Sequence, residues 1–226
     1  MTSPSDAPGV PAPLPIAPEQ GERMGLVEAV ARYALGERMI SLDPARAALD
    51  PGGAVRVVEG DLTIDGNLCL DWDYWQTLGL VVTGDLQVNG AIVNAEMESG
   101  PFLFVGGRTR AGAIIAGGAE FLFEGDVQAD DIVLGHYNDG VLTFGAALRA
   151  PAVVTMDHHL EIRGRLEGRR FDTLFGGDPW SAVFDMAPDM LEAFDDNAFR
   201  SLDRVLIPQV MAGRPVVRDD LRQPVG

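Results

Sequence analysis

A chain of 226 residues, 46% hydrophobic, is long enough for one sizeable core or two small ones. Its 34 acidic residues outnumber 17 basic ones, all of them Arg, and the net charge of −17 excludes nucleic acid as a natural partner because phosphates would be repelled. The single cysteine, Cys69, excludes an internal disulfide and fits a reducing, cytoplasmic compartment, and no run approaches the ~20 apolar residues of a membrane-spanning helix.

The first twenty residues hold six Pro, and no basic residue precedes Arg23. The sequence therefore predicts a disordered, partly extended tail over 1–22 with no export signal. Residues 23–54 follow as a helical N-terminal cap, with Leu26, Val27, Val30, Tyr33 and Ala34 on one helical face.

Residues 55–175 repeat. With Gly60, Gly84, Gly107, Gly125, Ala146 and Gly164 as anchors, the spacings are 24, 23, 18, 21 and 18. Two residues before each anchor stand Val58, Val82, Val105, Phe123, Phe144 and Ile162. Four before stand Arg56, Leu80, Leu103, Phe121, Leu142 and Leu160, and two after stand Leu62, Leu86, Thr109, Val127, Leu148 and Leu166. Small or aliphatic residues follow four after. Leu68, Ile92, Ile115, Val133, Val154 and Asp172 follow eight after. Steps of two are those of a strand with one buried face, and a period near twenty places equivalent residues on successive turns. The fold class is mainly β: a single-stranded parallel β-helix of about six turns with helical caps at both ends. The second cap, 176–226, offers Asn197 as an N-cap, then Phe199, Leu202 and Leu206 at helical spacing, with Pro208 expected to bend or end the helix.

Variation collects between one turn and the next, at Asp71–Gly79, Ala95–Phe102, Gly118–Glu120, His136–Val141 and Asp157–His159. These five stretches should stack along one edge, and insertions on one face of a repeat protein often mark its binding face. They carry Asp71, Trp72, Asp73, Tyr74 and Trp75, then Glu96 and Glu98, then His136, Tyr137, Asn138 and Asp139, then Asp157 and His158. Every His lies here, with two of the three Trp and two of the three Tyr. Such aromatics bury much area for little entropy, so these residues are the expected protein-binding set.

Catalytic readings rest on the same edge. Asp71-x-Asp73 with Asp157-His158-His159 resembles the signature of the DHH phosphoesterases, which bind Mn²⁺, although that family uses an α/β domain. His136, Asp157 and His158 on adjacent turns resemble the metal site of left-handed β-helix carbonic anhydrases, without their hexapeptide repeat. Cys69 lies between apolar residues and reads as buried. No metal or cofactor is expected.

The phrases Gly60-Asp61-Leu62 and Gly84-Asp85-Leu86 resemble those of the bactofilins, bacterial cytoskeletal β-helices. With Tyr137-Asn138 and the acidic tail, the chain resembles more closely the bacterial β-solenoids encoded beside polymorphic toxins, among which immunity proteins are common. That resemblance implies a non-catalytic binder whose partner is a protein, such as a basic toxin domain. A bactofilin-like self-associating protein is the alternative, and a metal-dependent hydrolase the second. Bactofilins polymerise through open solenoid ends, so capped ends would argue against filaments and leave at most a small homo-oligomer.

Overall fold

The structure is a computed structural model in which residues 20–42, 47, 52–173 and 177–222 are described. The Pro-rich tail expected over 1–22 lies almost wholly outside the described residues. After β1 (Glu22–Gly25), the chain winds through six turns of parallel strands. Turn one holds β2 (Ala54–Val58), β3 (Leu62–Ile64) and β4 (Leu68–Cys69). Turn two holds β5 (Gly79–Val82), β6 (Leu86–Val88) and β7 (Ala91–Val93). Turn three holds β8 (Phe102–Val105), β9 (Thr109–Ala111) and β10 (Ala113–Ala116). Turn four holds β11 (Glu120–Phe123), β12 (Val127–Ala129) and β13 (Ile132–His136). In turn five, β14 (Val141–Phe144) precedes the long β15 (Leu148–Met156), which rounds a corner. Turn six is β16 (His159–Ile162) and β17 (Leu166–Asp172).

The coil therefore has three flanks. The first is β2-β5-β8-β11-β14-β16, with β1 antiparallel on its leading edge. The second is β3-β6-β9-β12 and the start of β15. The third is β4-β7-β10-β13 and the end of β15, and β17 pairs with both halves of β15.

The first three columns pair as read from the sequence: Val82 with Val105, Val105 with Phe123, Phe123 with Phe144, and Phe144 with Ile162. The first four of these are fully buried, and the Phe123 and Phe144 rings stack at 5.4 Å. The last column is corrected. It runs Leu68, Ile92, Ile114, Val133, Val153 and Arg170, because the second corner is one residue shorter in turns three and five and two shorter in turn six.

The Gly-Asp-Leu phrase now has a physical reason. The Gly84 N–H donates to the Gly60 carbonyl at 2.9 Å, and a Cβ on Gly84 would lie 2.5 Å from the Gly60 carbonyl carbon. Only glycine allows that approach without a shift. Asp61 accepts the Asp85 N–H and Asp85 accepts the Arg108 N–H, each at 2.8 Å, so each Asp holds the next turn's backbone. The Leu then enters the interior.

Helical segments stand before and after the coil as expected, and they pack along its flanks as sheaths. Outward Val55, Val57, Val81, Phe102, Phe104 and Leu122 of the first flank pack against Leu26, Ala29, Val30, Leu35, Met39 and Leu42. Among the described residues of this segment the helical ones are Leu26–Arg32, two short 3₁₀ turns and Ala47, and Val27, expected on the apolar face of the first helix, is exposed. Outward Val93, Ile115, Leu134, Val154 and Met156 of the third flank are covered by the C-terminal segment, including a Trp180–Phe184–Phe194 cluster. Asn197 does cap its helix, accepting the Arg200 N–H at 3.0 Å. Pro208 does not end the helical course: a π turn over Leu202–Leu206 precedes it and helix continues through Ile207–Met211.

The second flank is bare. Thr63, Gln87, Arg110 and Arg149 point to solvent from it. The two ends also differ. Interior Val58, Leu62 and Ile64 of turn one are buried, whereas Leu160, Ile162 and Leu166 of turn six are only partly so. No helix among the described residues is long and apolar enough to cross a membrane.

Candidate protein-binding edge

The loops after β4, β7, β10, β13 and β15 each join a third-flank strand to a first-flank strand, so they follow one corner of the coil. The corner divides into two halves with different jobs.

In the first half, Asp71 is a clamp rather than a contact. It is buried, and its Oδ1 accepts from Asn94 Nδ2 and the Ala95 N–H at 2.8 Å and the Glu96 N–H at 3.2 Å. Its backbone carbonyl accepts the Tyr74 and Trp75 N–H groups, folding 71–75 into a turn. That turn drives Trp75 into the interior cluster, so Trp75 too is withdrawn from any partner. Trp72 and Tyr74 point the other way, 42% and 51% exposed. The Trp72 N–H donates to Glu96 Oε2 and its indole N–H to Ser99 Oγ, both at 3.1 Å. Asp73 and Glu98 are exposed and Glu96 is half-buried.

Sequence reasoning missed two neighbours. Met97 is 39% exposed on the second loop, and Ile40, 69% exposed, lines a cleft of about 370 Å³ with Leu42, Trp72, Leu78, Ser99 and Phe102. Of six large exposed hydrophobic side chains among the described residues, Ile40, Trp72, Tyr74 and Met97 gather here. Ile40 belongs to a segment read as an end cap, so its arrival beside Trp72 had no local signal.

The second half is structural. His136 is 1% exposed and pairs with Met156 across the rung, so Asp157 is equivalent to Tyr137, not to His136. It cannot meet a partner, because its place on the third flank is roofed by the sheath. Burial, and secondarily the nearby His158, pushes its pKa down to about 4. His158 is half-buried with Nδ1 2.9 Å from the Tyr137 carbonyl, and burial lowers its pKa as well. Tyr137 and Asp157 both take positive φ, +80° and +51°, and the Tyr137 ring meets Phe199 of the sheath edge-on at 6.0 Å. Asn138, Asp139, Asp157 and His159 are exposed in this half.

The geometry also bears on chemistry. The Asp71-x-Asp73 and Asp157-His158 motifs follow turns one and five, four rungs or about 19 Å apart at the usual strand spacing, so they do not converge. Among the described residues no three His, Cys, Asp or Glu side chains are placed to hold a metal. The Cys69 thiol is pushed up to about 12, first by burial and then by Asp71, which suppresses the reactive thiolate.

The acids of the edge lie close enough to act on one another. Burial raises the pKa of Glu96, and the nearby Asp71 and Asp73 raise it further; burial and Asp73 do the same to Asp71. On the bare second flank Asp85 pairs with Arg108, Asp130 with Arg110 and Glu167 with Arg149, while Asp61, Asp65 and Asp126 are in no ion pair among the described residues. Among the described residues none of Asp71, Asp73, Glu96, Glu98, Asp139 or Asp157 is in an ion pair. Comparison with known proteins found no matching family model, curated protein or solved structure.

Proposed function

We propose that this chain is a non-catalytic, cytoplasmic protein-binding β-solenoid that covers a basic surface of another protein, as an immunity protein covers a bacterial toxin. The observation that carries this reading is an edge where ordered, exposed aromatic side chains stand beside acids with no cation. Aromatic anchors supply contact area at low entropic cost, and unmatched acids steer a basic partner. The resemblance to solenoids encoded beside toxins supports the same reading. The test is capture from the native host, with the product of the neighbouring gene as the first partner to try. Wild type should retain a partner that Trp72→Ala with Tyr74→Ala loses at unchanged melting temperature. Equal retention by both proteins would end the claim for this edge.

One observation favours self-association as a second reading. The helical segments pack along the flanks and β1 closes the leading edge of β2, so the argument against end-to-end contact is weakest at turn six. Among the described residues no further strand joins β16, or residues 166–171 of β17, on the outer side, beside partly buried Leu160, Ile162 and Leu166. Light scattering decides: concentration-dependent growth that Ile162→Asp abolishes would support this reading, and a constant monomer mass would remove it.

A further inference from the structure

Resting on the binding reading, we propose that the edge seats an arginine of the partner, its guanidinium on the Trp72 indole among Asp73, Glu96 and Glu98, with an apolar neighbour in the adjoining cleft.

The ring is fixed before any partner arrives. Its indole N–H is held by Ser99 and its backbone N–H by Glu96, so little freedom is lost on binding. A guanidinium over an indole face is the strongest of the common cation–π pairings, and a carboxylate beside it adds a directional charged hydrogen bond. Burial is the main cause of the raised Glu96 pKa, and the nearby Asp71 and Asp73 add a smaller repulsion that such a cation would relieve.

The molecule builds the same arrangement twice with its own residues. Arg32 lies 5.6 Å from the Tyr33 ring centre and 2.6 Å from Glu59. Arg38 lies 5.6 Å from the Phe104 ring centre and 3.0 Å from Glu124. Trp72 likewise stands beside a carboxylate, that of Glu96, but no ion pair or cation–π contact among the described residues involves either. The cleft on the Ile40 side, walled by Leu42, Leu78 and Phe102, suits an apolar residue next to that arginine.

The probe is a peptide of four Arg-Leu repeats, titrated by calorimetry against the full chain, with a citrulline-for-arginine peptide as its neutral match. The triple variant Asp73→Asn, Glu96→Gln, Glu98→Gln keeps side-chain shape and should bind about tenfold more weakly, as losing a set of charged contacts typically does. The flank variant Asp61→Asn, Asp85→Asn, Asp126→Asn makes the same charge change and should stay within about twofold of wild type, since exposed distant charges are screened. Trp72→Ala should weaken binding as the edge triple does, with Trp72→Phe between. Equal loss in both triples would reduce the effect to net charge and overturn the proposal, as would undiminished binding of the citrulline peptide. Arg46, outside the described residues, is tested by Arg46→Gln: unchanged affinity supports the proposal, and a large gain would assign the seat to the chain's own arginine. Should a protein partner be captured through the edge while the Arg-Leu peptide fails to bind, the arginine seat falls and the binding function stands.

Discussion

The first and third flanks are covered and the second is bare, although all three are built from the same turns. Their strands differ in one respect. First- and third-flank strands are apolar at successive positions, as in Phe102-Leu103-Phe104-Val105 and Ile132-Val133-Leu134. Second-flank strands alternate, as in Leu86-Gln87-Val88 and Val127-Gln128-Ala129. A strand apolar on both faces must be covered on both, whereas an alternating strand can face water. The chain's helical segments are thus consequences of which strands need roofing, and the corner between two roofed flanks is where loops and sheath meet to form the cleft.

The sharpest way to break this contrast is through the interior that all three flanks share. Phe123→Ala removes a fully buried ring stacked on Phe144 and should cost ~3–5 kcal/mol by denaturant unfolding. A loss below about 1 kcal/mol would count against the stacked column, being far under the range for such a change.

The interior was legible in advance because parity and period are local properties. Val82, Val105, Phe123 and Phe144 could be aligned by counting, and Asn197 could be recognised as a cap from residue type. The destination of the helical segments was not legible, because helical spacing says which face is buried but not against what. The strands held the missing signal. Ile114-Ile115 and Val153-Val154 are pairs that a strand with one buried face does not explain. At the edge, exposure of Trp72 but not Trp75 turns on the Asp71 clamp, a tertiary contact with Asn94 and Ala95 that no residue type announces.

The third flank offers a second way to probe the contrast, since its cover traps a titratable group. His136 binds its proton at about 4 when folded against an ordinary 6.5. The unfolded chain therefore holds more protons between those values. Stability is full above about pH 6.5, declines as pH falls towards about 4, and levels off below, a change of roughly 3 kcal/mol from this group. Depressed His158 adds in the same direction, while buried Asp71 and half-buried Asp131, whose pKa values are raised, oppose it. The clean measurement is the difference between wild type and His136→Leu at pH 7.5 and 4.5. The leucine variant should lose much less stability on acidification, and parallel curves would show that His136 is not held neutral.

Trp72→Ala separates the binding edge from the fold. Losing a central aromatic anchor typically costs ~2 kcal/mol or more in binding. Trp72 is half exposed and outside the core clusters, so thermal unfolding should scarcely move. A large fall in melting temperature would mean that the ring holds its loop to the sheath instead of waiting for a partner.

The smallest effect belongs to the bare flank, and its smallness is informative. Arg110 pairs with Asp130 at 3.4 Å, with both side chains largely exposed. Solvent screens such a pair, and ordering two long side chains offsets its attraction. Arg110→Ala should therefore change unfolding free energy by less than about 0.5 kcal/mol. It should also leave partner capture intact, because Asp130 lies on the second corner, away from the edge loops. If capture instead falls with Arg110→Ala and survives Trp72→Ala, the bare flank is the working surface. The matched charges of Asp85, Arg108, Asp130 and Arg149 would then be the contacts a partner breaks and replaces, and the sheaths would serve to leave that one flank open.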